Sequence, residues 1–335
     1  MKDLETIMTI INIINFLSIG VNIHNLIIWP MSRRYKANKL IEFRLQAISK
    51  YDGYLINKEC LLDNASLNDR NEALKRDIAQ IINPWLEDIE NYIGEDNSKL
   101  MYTNLKTLRV ETLKRSFSRD GDYQPTINLI RIRKISSLLH ELLHMASSYY
   151  DKERDITEIG FLQVEYKTSA EIGRGLNEGY TELLASRIDE DKPTSTAWLV
   201  VIAKLFELFF DDPKDMENLY FRHNLPGFIH HMEKFIPYDK LMDILLRLDR
   251  INDFYSKQVP IFIYLEVINI EKELYGYFVK SNPGADKVEA FESIIREKKL
   301  LAAAFNRDKM KEIRDSAKGD TIEYAEVGVE RKMSA

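Results

Sequence analysis

The spacing of apolar residues predicts mostly helices. Apolar side chains recur every three or four positions in several stretches, which is typical of amphipathic helices. These predicted helices cover residues 39–50, 68–93, 194–210, 225–235, 238–255, 260–279 and 288–314. Prolines and an Asn-Pro-Gly turn separate the later ones. The half of the chain after residue 190 is therefore expected to be helical.

Alternation of apolar and polar residues predicts strands only in the middle of the chain. The sequence LKTLRVETL at 105–113 alternates in this way, and so does INLIRIR at 127–133. A third short strand is expected at 159–166. The second strand leads directly into SSLLHELLHMAS at 136–147, an apolar segment that we predict to be a helix. We therefore expect an α+β fold, mostly helical, with a small sheet beside this helix.

The amino-terminal stretch is apolar but carries a polar stripe. Residues 6–32 contain no Asp, Glu, Lys or Arg and precede a basic flank that begins with Arg33 and Arg34. Asparagines at four positions fall within one arc of a helical wheel. We favour a helix at 1–36 whose residues 5–29 lie on a membrane, pack on a protein partner or pack on their own domain. These alternatives are preferred to a bilayer span or a signal peptide.

Composition excludes some classes of protein. The 335 residues are 45% hydrophobic and 30% charged, which is ordinary for a globular chain. The net charge of -6 argues against a general nucleic-acid binder, because phosphate contacts need a basic face. Cys60 is the only cysteine, so no intrachain disulfide and no cysteine-based zinc site can form. We therefore expect a cytoplasmic protein. Its amino-terminal helix could associate it with a membrane.

The apolar helix predicted at 136–147 contains the pattern H-E-x-x-H. His140 and His144 are one helical turn apart, so both imidazoles can reach one metal ion. Glu141 can approach a metal-bound water from the side and accept its proton. The alternative is a surface helix on which both histidines have ordinary hydrogen-bond partners and the glutamate is solvated. Four leucines before and within the motif, and Met145 after it, argue against this alternative, because they indicate a buried helix with one polar notch.

A catalytic zinc site needs a third protein ligand. The segment GRGLNEGYTELLASR at 173–187 is expected to start a helix near residues 176–178. Glu178 and Glu182 share a face of that helix, so one can bind the metal while the other accepts a hydrogen bond from a ligand histidine. Other residues could also supply the third ligand, although we rank them behind Glu178. They are Glu165, Glu171, His230 and His231.

The two segments together resemble the gluzincin metallopeptidases. In that class a glutamate on a later helix completes an H-E-x-x-H zinc site, and the Asn177-Glu178-Gly179 context resembles its aminopeptidase branch. The resemblance covers about residues 127–188 and implies that Glu178 is the third Zn2+ ligand. It also implies that Glu182 supports a zinc histidine. An edge strand in such enzymes pairs with an extended substrate, and INLIRIR is either that strand or one that only covers the helix.

The segment ENLYFRHN at 217–224 contains the best candidates for an oxyanion donor. Tyr220 and His223 could hydrogen-bond the developing negative charge of a tetrahedral intermediate. Tyr180 is a third candidate because it follows Glu178 closely. The alternative is that these side chains are aromatic core residues and a surface histidine.

These patterns predict four parts of the chain: the amino-terminal helix, a zincin-like domain at 37–190, a helical lobe at 191–315 and a polar tail at 316–335. The predicted function is that of a zinc metallopeptidase acting on peptides or proteins, with Glu141 as general base. The main alternative is a non-catalytic zincin-like module that binds a membrane or a protein partner. A chance H-E-x-x-H in a membrane-associated regulatory protein is a second alternative, which a zinc content near zero would favour.

Overall fold

The computed structural model describes six ranges of the chain. They are residues 33–39, 72–112, 120–189, 197–255, 261–281 and 283–296. Three predicted segments lie outside the described residues. They are residues 5–29 of the amino-terminal helix, most of the helix predicted at 39–50 and the tail at 316–335. The chain divides into two compact units after Gly284. Helices on both sides of residue 190 belong to the first unit.

Helices make up most of the described first unit. In chain order they are α1 (33–39), α2 (Glu72–Leu105), α3 (Leu138–Ala146), α4 (Arg174–Ile188), α5 (Ala197–Glu207), α6 (Pro213–Phe221), α7 (Leu225–Met232), α8 (Tyr238–Tyr255) and α9 (Ile261–Lys280). The described part of the second unit is a helix at 285–296. The helical character predicted after residue 190 is therefore confirmed for the ranges that the structure describes.

Two small sheets flank α3 in the sequence. The first contains β1 (Arg109–Thr112), β2 (Gly121–Gln124) and β3 (Leu129–Ile132), in the order β1-β3-β2. The second is an antiparallel meander of β4 (Ser148–Asp151), β5 (Ile156–Ile159), β6 (Leu162–Glu165) and β7 (Ala170–Ile172). The predicted α+β class, mostly helical, is confirmed.

The strand INLIRIR occupies the centre of its sheet. β3 pairs in parallel with β1 and antiparallel with β2, so both of its edges are used. The prediction that it could offer an edge to a substrate is wrong. Among the described residues the strand with an unpaired edge next to α3 is β2, which begins at Gly121. Pattern alone did not reveal β2, because a strand of four residues that begins with glycine shows little alternation.

Two predicted strands have different bounds in the structure. The strand predicted at 105–113 is reduced to β1 because Leu105, a fully buried residue, still belongs to the last turn of α2. The strand predicted at 159–166 is a hairpin, because Gly160 adopts a φ of 52° and reverses the chain between β5 and β6. A glycine at positive φ interrupts a strand without changing the apolar pattern on either side.

Helix α4 lies between α5 and α8 at very short range. A Cβ atom added to Gly175 would overlap the carbonyl oxygen of Leu248 in α8. A Cβ atom on Gly179 would overlap the carbonyl oxygen of Leu199 in α5. These two glycines, four residues apart, let the backbones of neighbouring helices touch α4 directly.

Gly179→Ala is therefore expected to lower the free energy of unfolding by about 1–3 kcal/mol, because backbone atoms of α5 must move to admit the methyl group. Gly276→Ala in α9 is the matched control. A Cβ atom at Gly276 meets nothing within 4 Å, so alanine should raise stability there by up to about 1 kcal/mol. Urea titrations followed by circular dichroism measure both changes. Equal effects of the two substitutions would contradict the close approach of α5 to α4.

The basic flank after the amino-terminal stretch contacts the protein's own acidic groups. Arg33 lies 3.4 Å from Asp249 and 3.6 Å from Asp253, measured between side-chain nitrogen and oxygen. Arg34 donates hydrogen bonds to the side chain and backbone of Asp239, and both aspartates paired with Arg33 also lie on α8. These contacts attach α1 to α8.

No described helix is both long enough and apolar enough to cross a bilayer.

Candidate metal centre

Helix α3 presents its two histidines on one side. It has nine residues, and all of them except His140 are at least nine-tenths buried. The Nε2 atoms of His140 and His144 lie 2.9 Å apart, and the two rings meet edge to face. The apolar face of this helix packs in the core, so the histidines form the polar notch that the sequence predicts.

Helix α4 brings Glu178 to these histidines. Its carboxylate oxygens lie 3.3 Å from the Nε2 atom of His140 and 3.6 Å from the Nε2 atom of His144. A tetrahedral zinc ion with ligands at about 2.0–2.1 Å separates its ligand atoms by about 3.3 Å. The three separations observed here, 2.9, 3.3 and 3.6 Å, bracket that value. The donor set therefore fits a small divalent cation.

Among the described residues, His140, His144 and Glu178 form the group of side chains that could hold a metal ion. The Glu178 side chain is 27% exposed, whereas those of His140 and His144 are 12% and 8% exposed. The cluster is therefore open to solvent on the Glu178 side.

Glu182 orients the first histidine. Its Oε2 atom lies 2.8 Å from the Nδ1 atom of His140, and its side chain is 2% exposed. When the Nδ1–H group donates to Glu182, the lone pair of Nε2 faces the centre of the cluster. This contact agrees with the role predicted for Glu182.

The second histidine is oriented by neutral groups. Its Nδ1 atom lies 3.4 Å from the Thr181 hydroxyl and 3.3 Å from the Asn177 side-chain nitrogen. Thr181 donates to the backbone oxygen of Asn177, so its own oxygen can accept from the Nδ1–H group of His144. Asn177 is held in turn because its Oδ1 atom accepts a hydrogen bond from the backbone of Phe161.

The electrostatics of the cluster suit a cation. Burial lowers the pKa of His140, but hydrogen bonds to Glu178 and Glu182 outweigh that effect and raise it to about 10. Burial raises the pKa of Glu178, yet the charges of His144 and His140 and their hydrogen bonds hold it well below its usual range. Glu178 therefore favours its ionised form, and His140 favours its protonated form. A metal ion can take the place of the proton on His140.

Glu141 lies between the histidines and the edge of the first sheet. It is 6% exposed, and its charge contributes to the raised pKa of His140. A Cβ atom built on Gly121 would lie 2.9 Å from Oε1 of Glu141 and 2.7 Å from the Ser137 hydroxyl. The absence of a side chain at Gly121 is what leaves room for the Glu141 carboxylate at the start of β2.

Tyr220 contacts the site from behind His144. Its ring is fully buried, and its hydroxyl lies 2.6 Å from the Thr181 hydroxyl that faces His144. Tyr180 is also fully buried and donates to Glu207, which forms a two-pronged ion pair with Arg187. Both tyrosines have hydrogen-bond partners within the fold. An oxyanion role for Tyr220 stays a prediction.

His223 lies in a buried polar group beside the second sheet. Its Nε2 atom is 3.6 Å from Oε2 of Glu158, and its ring stacks on Tyr149. Its backbone has a φ of 43°, which is uncommon for a residue other than glycine. A catalytic role for His223 also stays a prediction.

The other candidates for the third ligand have different partners. Glu171 binds Arg174 through two hydrogen bonds of 2.6 and 2.7 Å, and Glu165 accepts from Thr168. His230 is largely exposed, and His231 stacks on Phe210. None of these residues belongs to the metal cluster of the described chain.

Sequence reasoning missed two residues that hold the site in place. Thr181 orients His144, and its position three residues after Glu178 was the signal that could have identified it. Asn104 donates from its side chain to the backbone oxygens of Met145 and Ser148, at 2.8 and 2.7 Å. It thereby satisfies one carbonyl group in the last turn of α3 and one at the start of β4. No pattern in the sequence points to Asn104, which is 41 residues from Met145.

Comparison of the chain with protein-family models, with curated proteins and with solved structures found no match. The functional interpretation therefore depends on the geometry of the site.

Proposed function

We propose that the protein is a zinc-dependent metallopeptidase of the gluzincin type with a zincin-like fold. The observation that carries this proposal is the convergence of His140, His144 and Glu178, whose ligand atoms all lie within 4.8 Å of one another. Glu182 and Thr181 support the histidines, which is the second layer of contacts that metal-binding histidines usually have. A metal centre held only for stability would not need a carboxylate such as Glu141 beside it.

A bound Zn²⁺ ion would polarise the substrate carbonyl and lower the pKa of water. Glu141 accepts the proton of the attacking water and then gives it to the departing amine. Its buried position beside His140 suits this role, because a carboxylate shielded from solvent keeps its proton-transfer geometry. His140, His144 and Glu178 would hold the ion.

The edge of β2 favours a peptide over a small-molecule substrate. β2 begins at Gly121, directly beside the Glu141 carboxylate. An extended peptide that pairs with this edge would lie along the site with its backbone hydrogen-bonded to β2. This interpretation gives β2 the substrate-pairing role that was one of the two alternatives for INLIRIR.

Metal removal tests the proposal directly. The purified full-length protein is expected to contain about one zinc per chain. It is expected to cleave an unfolded protein such as reduced casein. Dialysis against 1,10-phenanthroline should abolish cleavage, and added zinc should restore it, because the ion supplies part of the chemistry. The non-chelating 1,7-phenanthroline is the control. Zinc-free protein, or cleavage that survives full metal removal, would overturn the proposal.

A further inference from the structure

Helix α4 carries the third ligand close to its amino-terminal end. Gly173 precedes the helix as its N-cap residue, with a φ of 87°, and provides no side-chain cap. Glu178 is only five residues further on, so the position of its carboxylate depends on how the first turn is held. The first N–H groups of a helix have no partner inside the helix and must find one elsewhere.

Asp249 on α8 supplies that partner from 74 residues away. Its Oδ1 atom accepts a hydrogen bond of 2.9 Å from the backbone N–H of Gly175. Its Oδ2 atom accepts one of 3.1 Å from the backbone N–H of Gly173. The Asp249 side chain is completely buried. One carboxylate therefore holds two N–H groups of the turn that precedes Glu178, and it also suits the positive end of the helix dipole.

Two further contacts support this interaction. Gly175 touches the backbone of α8, where the carbonyl oxygen of Leu248 occupies the space of a side chain. Arg33 on α1 lies 3.4 Å from the Oδ2 atom of Asp249 and balances its buried charge. A buried carboxylate without such a partner would be costly.

We propose that Asp249 is a positioning residue that sets the Glu178 carboxylate against His140 and His144 by holding the first turn of α4. The proposal rests on the metal site described above. It assigns to Asp249 a contribution to metal affinity although it touches no ligand side chain. It also gives the α1 segment a structural role at the metal site, through Arg33.

The test is the zinc affinity of Asp249→Asn, measured by competition with a chromophoric chelator. Asparagine has the same shape but cannot accept both hydrogen bonds and carries no charge. We expect zinc binding about 10–100-fold weaker than in the natural protein, which is the range seen when groups that support metal ligands are changed. Asp243→Asn is the matched control, because Asp243 lies on the same helix and pairs with Arg247. It should leave zinc affinity unchanged.

Urea unfolding of the metal-free proteins separates positioning from general stability. If Asp249→Asn lowers stability but binds zinc as tightly as the natural protein, the positioning role is overturned and the proposed function is not. If the natural protein binds zinc but hydrolyses no peptide bond, the proposed function fails. Weaker zinc binding by Asp249→Asn would then still support the inference about Asp249.

A measurement on the natural protein covers the case in which Asp249→Asn does not fold. If the first turn of α4 influences zinc binding, zinc must stabilise that turn to the same degree. Added zinc should therefore slow hydrogen exchange in the 173–179 segment more than in the 238–247 segment of α8. Equal slowing in the two segments, or none in 173–179, would overturn the proposal.

Discussion

Glu141→Gln is expected to keep the metal and to lower the rate of peptide hydrolysis by about 100-fold to 10,000-fold, the usual contribution of a general base. Glutamine has the same size, so it fits the space that Gly121 leaves beside it. It cannot accept a proton from water. Zinc content by mass spectrometry and initial rates of cleavage of a fluorogenic peptide measure the two properties on the same samples.

Glu153→Gln provides the control for this experiment. Glu153 lies exposed in the turn between β4 and β5, where loss of a charge should change neither zinc content nor rate. If Glu141→Gln and the natural protein hydrolyse the peptide at equal rates, the general-base role is wrong. If the variant loses zinc, Glu141 is required for metal binding, which also contradicts the assignment.

Glu178→Gln is expected to weaken zinc binding by about 100-fold or more, because a neutral amide replaces a carboxylate that lies within 3.6 Å of both Nε2 atoms. The loss should exceed that expected for Asp249→Asn, since Glu178 is the proposed ligand and Asp249 the proposed supporting group. Hydrolysis should fall in parallel at limiting zinc. Chelator competition gives the affinity, and activity as a function of free zinc gives an independent check.

Glu165→Gln is the matched control for the third ligand, because the sequence allowed Glu165 as an alternative. In the structure Glu165 lies on β6 and accepts a hydrogen bond from Thr168. Its substitution should leave zinc affinity unchanged. A loss of affinity in Glu165→Gln together with normal binding in Glu178→Gln would show that the ligand assignment is wrong.

The residues of the candidate metal site could be proposed from the sequence, because the spacing of two residues along a helix determines whether their side chains point the same way. Residues four apart on a helix share a face, so His140 and His144 could be paired before any fold was known. The same rule linked Glu178 with Glu182. The structure agrees with both pairings and brings the two helices together.

The first sheet shows where pattern reasoning failed. Its strand order, β1-β3-β2, depends on which backbone groups find partners, and alternation of side chains does not encode that choice. β2 has only four residues and begins with glycine, so it carried little pattern to recognise. The edge next to Glu141 therefore became visible only with the tertiary structure.

The basic residues after the amino-terminal stretch show the same limit. In the sequence, Arg33 and Arg34 follow an uncharged apolar stretch and therefore resemble the basic flank of a membrane segment. The sequence does not show which acidic residues their charges face. In the structure Arg33 faces Asp249 and Asp253, more than 200 positions away. Ion pairs between distant positions follow no period, so the sequence contained no signal for them.

By itself the sequence determined the mostly helical α+β class, the two histidines on one helix face and the pairing of Glu178 with Glu182 on one face of another helix. Local backbone geometry is the reason, since it repeats at fixed intervals that residue spacing reveals. Only the tertiary structure decided that Glu178 rather than Glu171 faces the histidines, that β2 rather than β3 offers an edge, and that Asp249 holds α4. These contacts join residues far apart in the chain, and packing of whole elements determines them.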